Sequence, residues 1–258
     1  MKNASDVGIQ ISPDTSESVS GKKRLPLAIG AAMGLLLGSV LMLTILRATS
    51  SAPKQASQID FVALPASASV GSAAIGLTDV LKHRRTKRDF TSGCRVTLEE
   101  ISCILWAAQG VTSPEGFRTA PSAGALYPLE LVVISGNVDS LTPGSYRFHP
   151  GECRLSPGAA GDIRDSVVRA TYNQSWMAES AALIAVCGVV DRVSRKYGSR
   201  GERYTLIEAG HAGQNIMLMA AALGLKCGII GAFDDERMHR LLGLASEERV
   251  ITLFPIGR

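Results

Sequence analysis

The stretch Arg118-Thr119-Ala120-Pro121-Ser122-Ala123-Gly124-Ala125-Leu126-Tyr127-Pro128-Leu129-Glu130 decides how this chain is read. Small and turn-forming residues lie between its two prolines, in a run longer than a structural turn needs, so the backbone can come close to a flat ligand. Ser122 and the backbone N–H groups offer polar contacts to such a ligand. Directly after the second proline, Leu129 to Ser135 has the apolar, β-branched content of a core strand.

Outward from that strand, further strands are expected at Ser145 to His149, Ala182 to Val190, Cys227 to Ile230 and Val250 to Pro255. Pro143-Gly144 lies between the first two strands and predicts that they pair as a hairpin. Helical spacing marks Leu77 to Arg85, then Leu98 to Gln109, where Ile101, Leu105 and Ala108 recur, and a third run from about Arg203 to Leu223. Asp234 is placed to cap a short helix whose first turn holds Asp235 and Glu236, where acidic groups favour the helix dipole. Helices and strands follow one another without a regular β-α-β repeat. The expected fold class is therefore α+β, with helices around a largely antiparallel sheet, over residues 76–258.

The 75 residues before this domain divide into three parts. A polar tail, 1–24, precedes a 22-residue stretch without charge, 25–46, bracketed by Lys22, Lys23 and Arg24 and by Arg47. As a helix it is about 33 Å long, enough to cross a hydrocarbon core of about 30 Å. A transmembrane helix is expected, with a cleaved signal peptide as the rival reading, Ser50-Ser51-Ala52 serving as its cleavage site. Four positive residues precede the span and two follow it in the short stretch after it, which places the main domain outside the cytoplasm. Gly30, Gly34 and Gly38 share one face of the span, where two helices can approach closely. Residues 47–75, rich in Ala and Ser with Pro53 and Pro65, read as a flexible tether.

Composition narrows the function. Of the 258 residues, 46% are hydrophobic and 19% charged, with a net charge of +4. That excludes a wholly disordered chain. The positive mean hydropathy, +0.16, has its source mostly in the uncharged span. The charge excess is small and aromatic residues are only 5%, so a nucleic-acid partner is not expected. Five cysteines without a C-x-x-C pair support neither a zinc site nor a disulfide framework, and Cys103 and Cys187 sit in apolar runs as core residues.

Three more clusters could carry chemistry. His83-Arg84-Arg85-Thr86-Lys87-Arg88-Asp89-Phe90 is dense enough in guanidinium and hydroxyl groups to hold a phosphate, though a solvated basic helix end would look the same. Arg192, Arg195, Lys196, Tyr197, Arg200 and Arg203 form a second basic cluster, either an active-site rim or a surface loop whose arginines meet acidic neighbours. Glu208, His211 and Asn215 share a helix face, with Gln214 beside them. With one histidine they make a poor metal site, and buried hydrogen bonding across a dimer is expected instead.

The segments "RTAPSAGALYPLE", "KYGSRGERY", "EAGHAGQN" and "GAFDDE", in this order, resemble the SagB-type, thiazole/oxazole oxidase-like branch of the FMN-dependent nitroreductase superfamily. The resemblance covers the domain from about Ile75 to Arg258. It implies a nitroreductase-like fold and a homodimer with FMN bound at the subunit interface. It further implies that Arg84, Arg85, Thr86 and Arg88 hold the FMN phosphate and neighbouring polar atoms, with Arg258 as a further phosphate ligand. Pro121, Ser122, Ala123 and Gly124 would line the flavin from the partner subunit. Gly231 and Ala232 would lie against the isoalloxazine and offer a backbone N–H toward N5. Ala125 stands where the wider superfamily often has asparagine, which weakens any transfer of simple nitroreductase substrates. Lys196 and Tyr197 match the catalytic pair of the azoline-oxidising members, implying oxidation of a small-molecule or peptide-borne azoline, with a partly desolvated lysine as base. A nicotinamide-dependent reductase of nitro or quinone compounds and a non-catalytic flavin-binding membrane protein are the alternatives.

Overall fold

Strand β2 (Leu129–Ser135) is buried along nearly its whole length because both of its faces are covered. Leu129, Leu131 and Val133 point into one apolar cluster, while Val132 and Ile134 point into another on the far side of the sheet. The two-residue period of a strand thus explains a run that does not alternate in polarity. The computed structural model describes residues 59–65, 76–172 and 174–258. The expected membrane span at 25–46 and most of the 47–75 tether lie outside the described residues. Among the described residues, no helix is long and apolar enough to cross a membrane.

Around β2 the described elements are β1 (Val62–Ala63), α1 (Leu77–His83), α2 (Leu98–Gln109), β3 (Gly144–His149), β4 (Arg154–Ala160), α3 (Arg164–Ala170), β5 (Ala182–Gly188), α4 (Val190–Tyr197), α5 (Gly201–Ala222), β6 (Lys226–Cys227), α6 (Asp235–Leu242) and β7 (Arg249–Gly257). The sheet order is β1-β4-β3-β2-β5-β7-β6, and every ladder is antiparallel. The expected fold class therefore holds. At the centre, Val133 faces Ile184 and Ile184 faces Phe254. One side of the sheet is covered by α2 and α5 through Ile101, Ile104, Leu105, Ala209, Ala212 and Ile216. The other is covered by α3 and α6 through Val167, Ala170, Met238 and Leu242. Cys103 and Cys187 are buried, as their apolar runs suggested.

Local signals account for the element ends. Thr97 caps α2 in a capping box: its hydroxyl accepts from the Glu100 N–H at 3.1 Å, and the Glu100 carboxylate accepts from the Thr97 N–H at 2.8 Å. Asp234 caps α6 as expected, accepting from the Arg237 N–H at 2.9 Å. Gly213 lets α5 lie close on the sheet, since a Cβ there would be 2.7 Å from the Phe254 ring.

Several expectations are corrected. Helix α1 stops at His83, leaving Arg84 and Arg85 in the extended segment that follows it. Strand β5 stops at Gly188, and Val190 opens a helix rather than closing a strand. The strand expected over Cys227 to Ile230 is only Lys226–Cys227 plus a single bridge from Ile230 to Leu253. Strands β2 and β3 do pair, but Pro143-Gly144 is not their two-residue turn. Gly144 already pairs with Ser135, and residues 136–143 make the connection. Strand β4 contains Pro157 and Gly158, which conceal it from a propensity reading. Part of the expected tether is fixed to the domain: Val62 and Ala63 pair with β4, the Leu64 N–H donates to the Cys153 carbonyl, and the Ser102 hydroxyl donates to the Pro65 carbonyl.

Candidate functional site

The loop before β2 turns sharply at Ala123–Ala125, with Gly124, Ala125 and Tyr127 at φ of 62°, 54° and 46°. Two of these are not glycine, and left-handed backbone costs such residues roughly 1 to 2 kcal/mol each, so other contacts must hold the loop. Polar groups on both sides do so. The Tyr127 N–H donates to the Ser122 hydroxyl at 2.8 Å, and the Arg118 N–H donates to the Tyr127 phenol at 3.2 Å. The Arg118 guanidinium lies 4.5 Å from the Tyr127 ring centroid and donates to Gln109 at 2.8 Å. Arg192 from α4 donates to the Tyr127 carbonyl and to Glu130.

Behind the loop, Glu208 of α5 is 2% exposed. Burial raises its pKa above the ordinary value, and nearby Ser122, Gln109, Arg118 and Arg192 offset this only in part. Pro121, Ser122, Ala123, Tyr204, Ile207, Glu208 and His211 enclose a pocket of about 250 Å³. Further along, Arg147 holds Glu248 with two hydrogen bonds of 2.7 Å and lies 3.8 Å from Glu130. Burial alone would push the Glu248 pKa up, but Arg147, the Ala245 N–H and Arg192 together hold it below its ordinary value.

Lys196 and Tyr197 close the last turn of α4 and come against this same loop. A Cβ on Gly124 would stand 2.7 Å from the Tyr197 oxygen and 2.8 Å from Lys196 Nζ, so only glycine leaves both polar atoms where they are. Tyr197 is braced edge-on by Tyr204, with ring centroids 5.2 Å apart. Lys196 itself is exposed in the single chain, so the expected desolvation is not supplied from within it. The reason is the helix face: Val193 is the buried residue of α4, and Lys196 lies in its exposed last turn. Within the basic cluster Arg192 has an acidic partner in Glu130, whereas Arg195, Lys196, Arg200 and Arg203 have none among the described residues.

The first basic cluster lies elsewhere on the chain. After α1, the segment 84–88 runs beside β6, with the Lys87 N–H donating to the Cys227 carbonyl at 2.9 Å. Arg85 folds back onto the Lys82 and Arg84 carbonyls at 2.8 Å, and Arg88 sits 5.7 Å from the Trp176 ring centroid. Arg84 and Thr86 are half-buried, while Arg85 and Arg88 are exposed. Gly231 and Ala232 follow a few residues beyond β6 and are exposed, and among the described residues their N–H groups have no acceptor. The Arg258 guanidinium is already engaged, by Glu100 at 2.5 Å and the Arg95 carbonyl at 3.1 Å.

Two groups therefore emerge from the sequence-predicted residues. Pro121, Ser122, Ala123, Gly124, Lys196 and Tyr197 gather at the N-terminal half of α5, with Glu208. Arg84 to Arg88 gather beside β6, where α1 packs near Leu218, Met219 and Ala222 at the other end of α5. The sequence names Arg118 and Glu130 as the ends of the loop stretch and Gln109 as a helix end, but gives none of them a role; their signal is a polar residue embedded beside apolar ones. Of the expected polar helix face, Glu208 is buried, the Asn215 amide donates to the Ala107 carbonyl, and His211 and Gln214 are exposed.

Comparison with known proteins matches residues 81–258 to the model of the nitroreductase family. "Putative nitroreductase MJ1384" of Methanocaldococcus jannaschii is 38% identical over 71% of this chain and 91% of its own length. The microcin B17-processing protein McbC of Escherichia coli is 28% identical over 60% of each chain. Among solved structures, the E. coli microcin synthetase McbBCD complex with truncated pro-MccB17 bound gives a TM-score of 0.62 at 20% identity. That match covers 90% of this chain and 84% of the other.

Proposed function

This chain belongs to the nitroreductase family of oxidoreductases, and from that premise we propose that it is an FMN-dependent dehydrogenase of an azoline-like, peptide-borne substrate. The observation that carries the reading is the contact of Lys196 and Tyr197 with Gly124 in the loop expected to line the flavin. FMN when bound supplies the hydride acceptor. Its phosphate suits Arg84, Arg85, Thr86 and Arg88, and the N–H groups of the exposed residues Gly231 and Ala232 suit its electron-rich ring atoms. The engaged guanidinium of Arg258 makes it a weaker candidate for the phosphate.

Oxidising an azoline to an azole removes one proton and one hydride from the ring. Lys196 takes the proton as general base, and the Tyr197 hydroxyl beside it orients the lysine or relays the proton. Because the loop is expected to reach the flavin from the partner subunit, Lys196 and Tyr197 travel with it. Each site then combines the Arg84 to Arg88 cluster of one chain with the Lys196 loop of a second copy. The McbC relative, named for processing a microcin, supports a peptide substrate. A membrane anchor formed by residues 25–46 completes the proposal.

The relative named as a nitroreductase favours a second reading, reduction of nitro or quinone compounds by a nicotinamide. Purified protein separates the two. The dehydrogenase reading predicts a yellow protein whose flavin is bleached by an azoline peptide, at a rate that Lys196→Ala lowers by about 100-fold while FMN stays bound. Rapid bleaching by NADPH with none by azoline peptides selects the reductase.

A further inference from the structure

Glu208 takes no part in the chemistry assigned to Lys196 and Tyr197, yet it is the most deeply buried acid among the described residues. We infer that Glu208 is the positioning residue of the 118–127 loop: through the Ser122 hydroxyl it closes a ring of contacts that fixes the backbone on which Lys196 and Tyr197 rest. The consequence for turnover rests on the proposed role of that pair. The geometry does not.

The ring runs through five residues. Arg118 donates to Gln109 Oε1 at 2.8 Å, and Gln109 Nε2 donates to Glu208 Oε1 at 3.5 Å. The Ser122 hydroxyl and the Glu208 carboxyl line one pocket, where Ser122 helps lower the Glu208 pKa, and the hydroxyl accepts from the Tyr127 N–H at 2.8 Å. The Tyr127 phenol accepts from the Arg118 N–H at 3.2 Å, which returns the path to its start. Gln109 ends α2 and Glu208 sits on α5, so the ring ties the loop to two core helices. Between Ser122 and Tyr127 lie the left-handed residues Gly124 and Ala125, which have no side chain able to hold that shape.

The groups facing Glu208 fit this task better than a catalytic one. Arg118 comes from the loop after α2 and Arg192 from α4, while Tyr204 and His211 of its own helix line the same pocket. Lys196 and Tyr197 reach the loop at Gly124. Loss of the carboxyl would leave the Ser122 hydroxyl free to turn and the Tyr127 N–H without a fixed acceptor.

Hydrogen exchange on the full-length protein without added FMN tests the inference independently of activity. Glu208→Ala is expected to speed exchange of the Tyr127 amide by about tenfold, as loss of one net hydrogen bond implies. Glu208→Asp, one methylene too short to reach Ser122, is expected to do the same and carries the test if the alanine variant does not fold. Glu208→Gln keeps the acceptor and reach and should stay within about twofold of wild type. Amides of β5 around Ile184 should be unchanged in all three. An unchanged Tyr127 amide in the Ala and Asp variants would overturn the inference, and so would equal acceleration in β5, which would make Glu208 a general stabiliser. Failure of the wild type to bind FMN would instead remove the flavin reading and leave the exchange result standing.

Discussion

The two ends of α5 present the residues of the proposed site in opposite ways. Beside β6, Arg84 to Arg88 form a local cluster whose partners are mostly backbone carbonyls and one aromatic ring. At the other end, Gly124, Lys196 and Tyr197 belong to a region wired by long-range contacts from Arg118, Arg192, Glu130, Arg147 and Glu208. The difference teaches what each region needs. In the proposed roles, a phosphate site can stay open until its anion arrives, whereas a proton-transfer site must hold its base within a fraction of an ångström before the substrate binds.

The largest effect expected from this contrast is at Gly124. Gly124→Ala forces the Lys196 and Tyr197 tips aside and places a side chain at φ 62°, so turnover should fall by about 100-fold or more, while the fold loses only about 1 kcal/mol. Single-turnover kinetics and thermal melting measure the two parts separately. Next comes Arg147→Ala, which leaves the buried Glu248 unpaired. Its cost should be roughly 2 kcal/mol by urea unfolding, below the usual figure for a fully buried pair because Arg147 is partly exposed.

On the other side of the comparison, Arg88→Ala should weaken FMN by about tenfold in a fluorescence titration while changing the stability of the free protein by less than about 0.5 kcal/mol. A large loss of stability would show that the cluster is structural after all. The smallest effect is a pH slope. The folded pKa of Glu208 is raised, so its protonated form is favoured on folding. Its contribution is fully present below the unfolded glutamate pKa and is lost as pH rises through the folded value. Melting temperatures of wild type and Glu208→Gln across that range should diverge in slope, with the glutamine variant flatter.

The open region was legible in sequence as a basic cluster because its residues are contiguous: six in a row, His83 to Arg88, bring their charge together without help from the fold. Helix α2, strand β2 and the Asp234 cap were legible for the same reason, since Leu98 to Gln109 and Leu129 to Ser135 carry their own periodicity. In the wired region the residues were legible and their contacts were not. Lys196 lies 72 positions beyond Gly124, and nothing in either segment announces that one touches the other. Strand β4 was hidden because pairing with β3 overrides Pro157 and Gly158. Val62 and Ala63 take a strand conformation only because β4 offers an edge.

The central claim is that each site draws its phosphate cluster from one chain and its Lys196 loop from another. Co-expressing two defective chains, one carrying Arg84→Ala with Arg88→Ala and the other Lys196→Ala, tests it directly. Random pairing gives half mixed dimers, each with one intact site of two, so activity should recover to about a quarter of wild type. If both clusters of a site come from the same chain, every site keeps one defect, and activity would stay at the level of the separate variants.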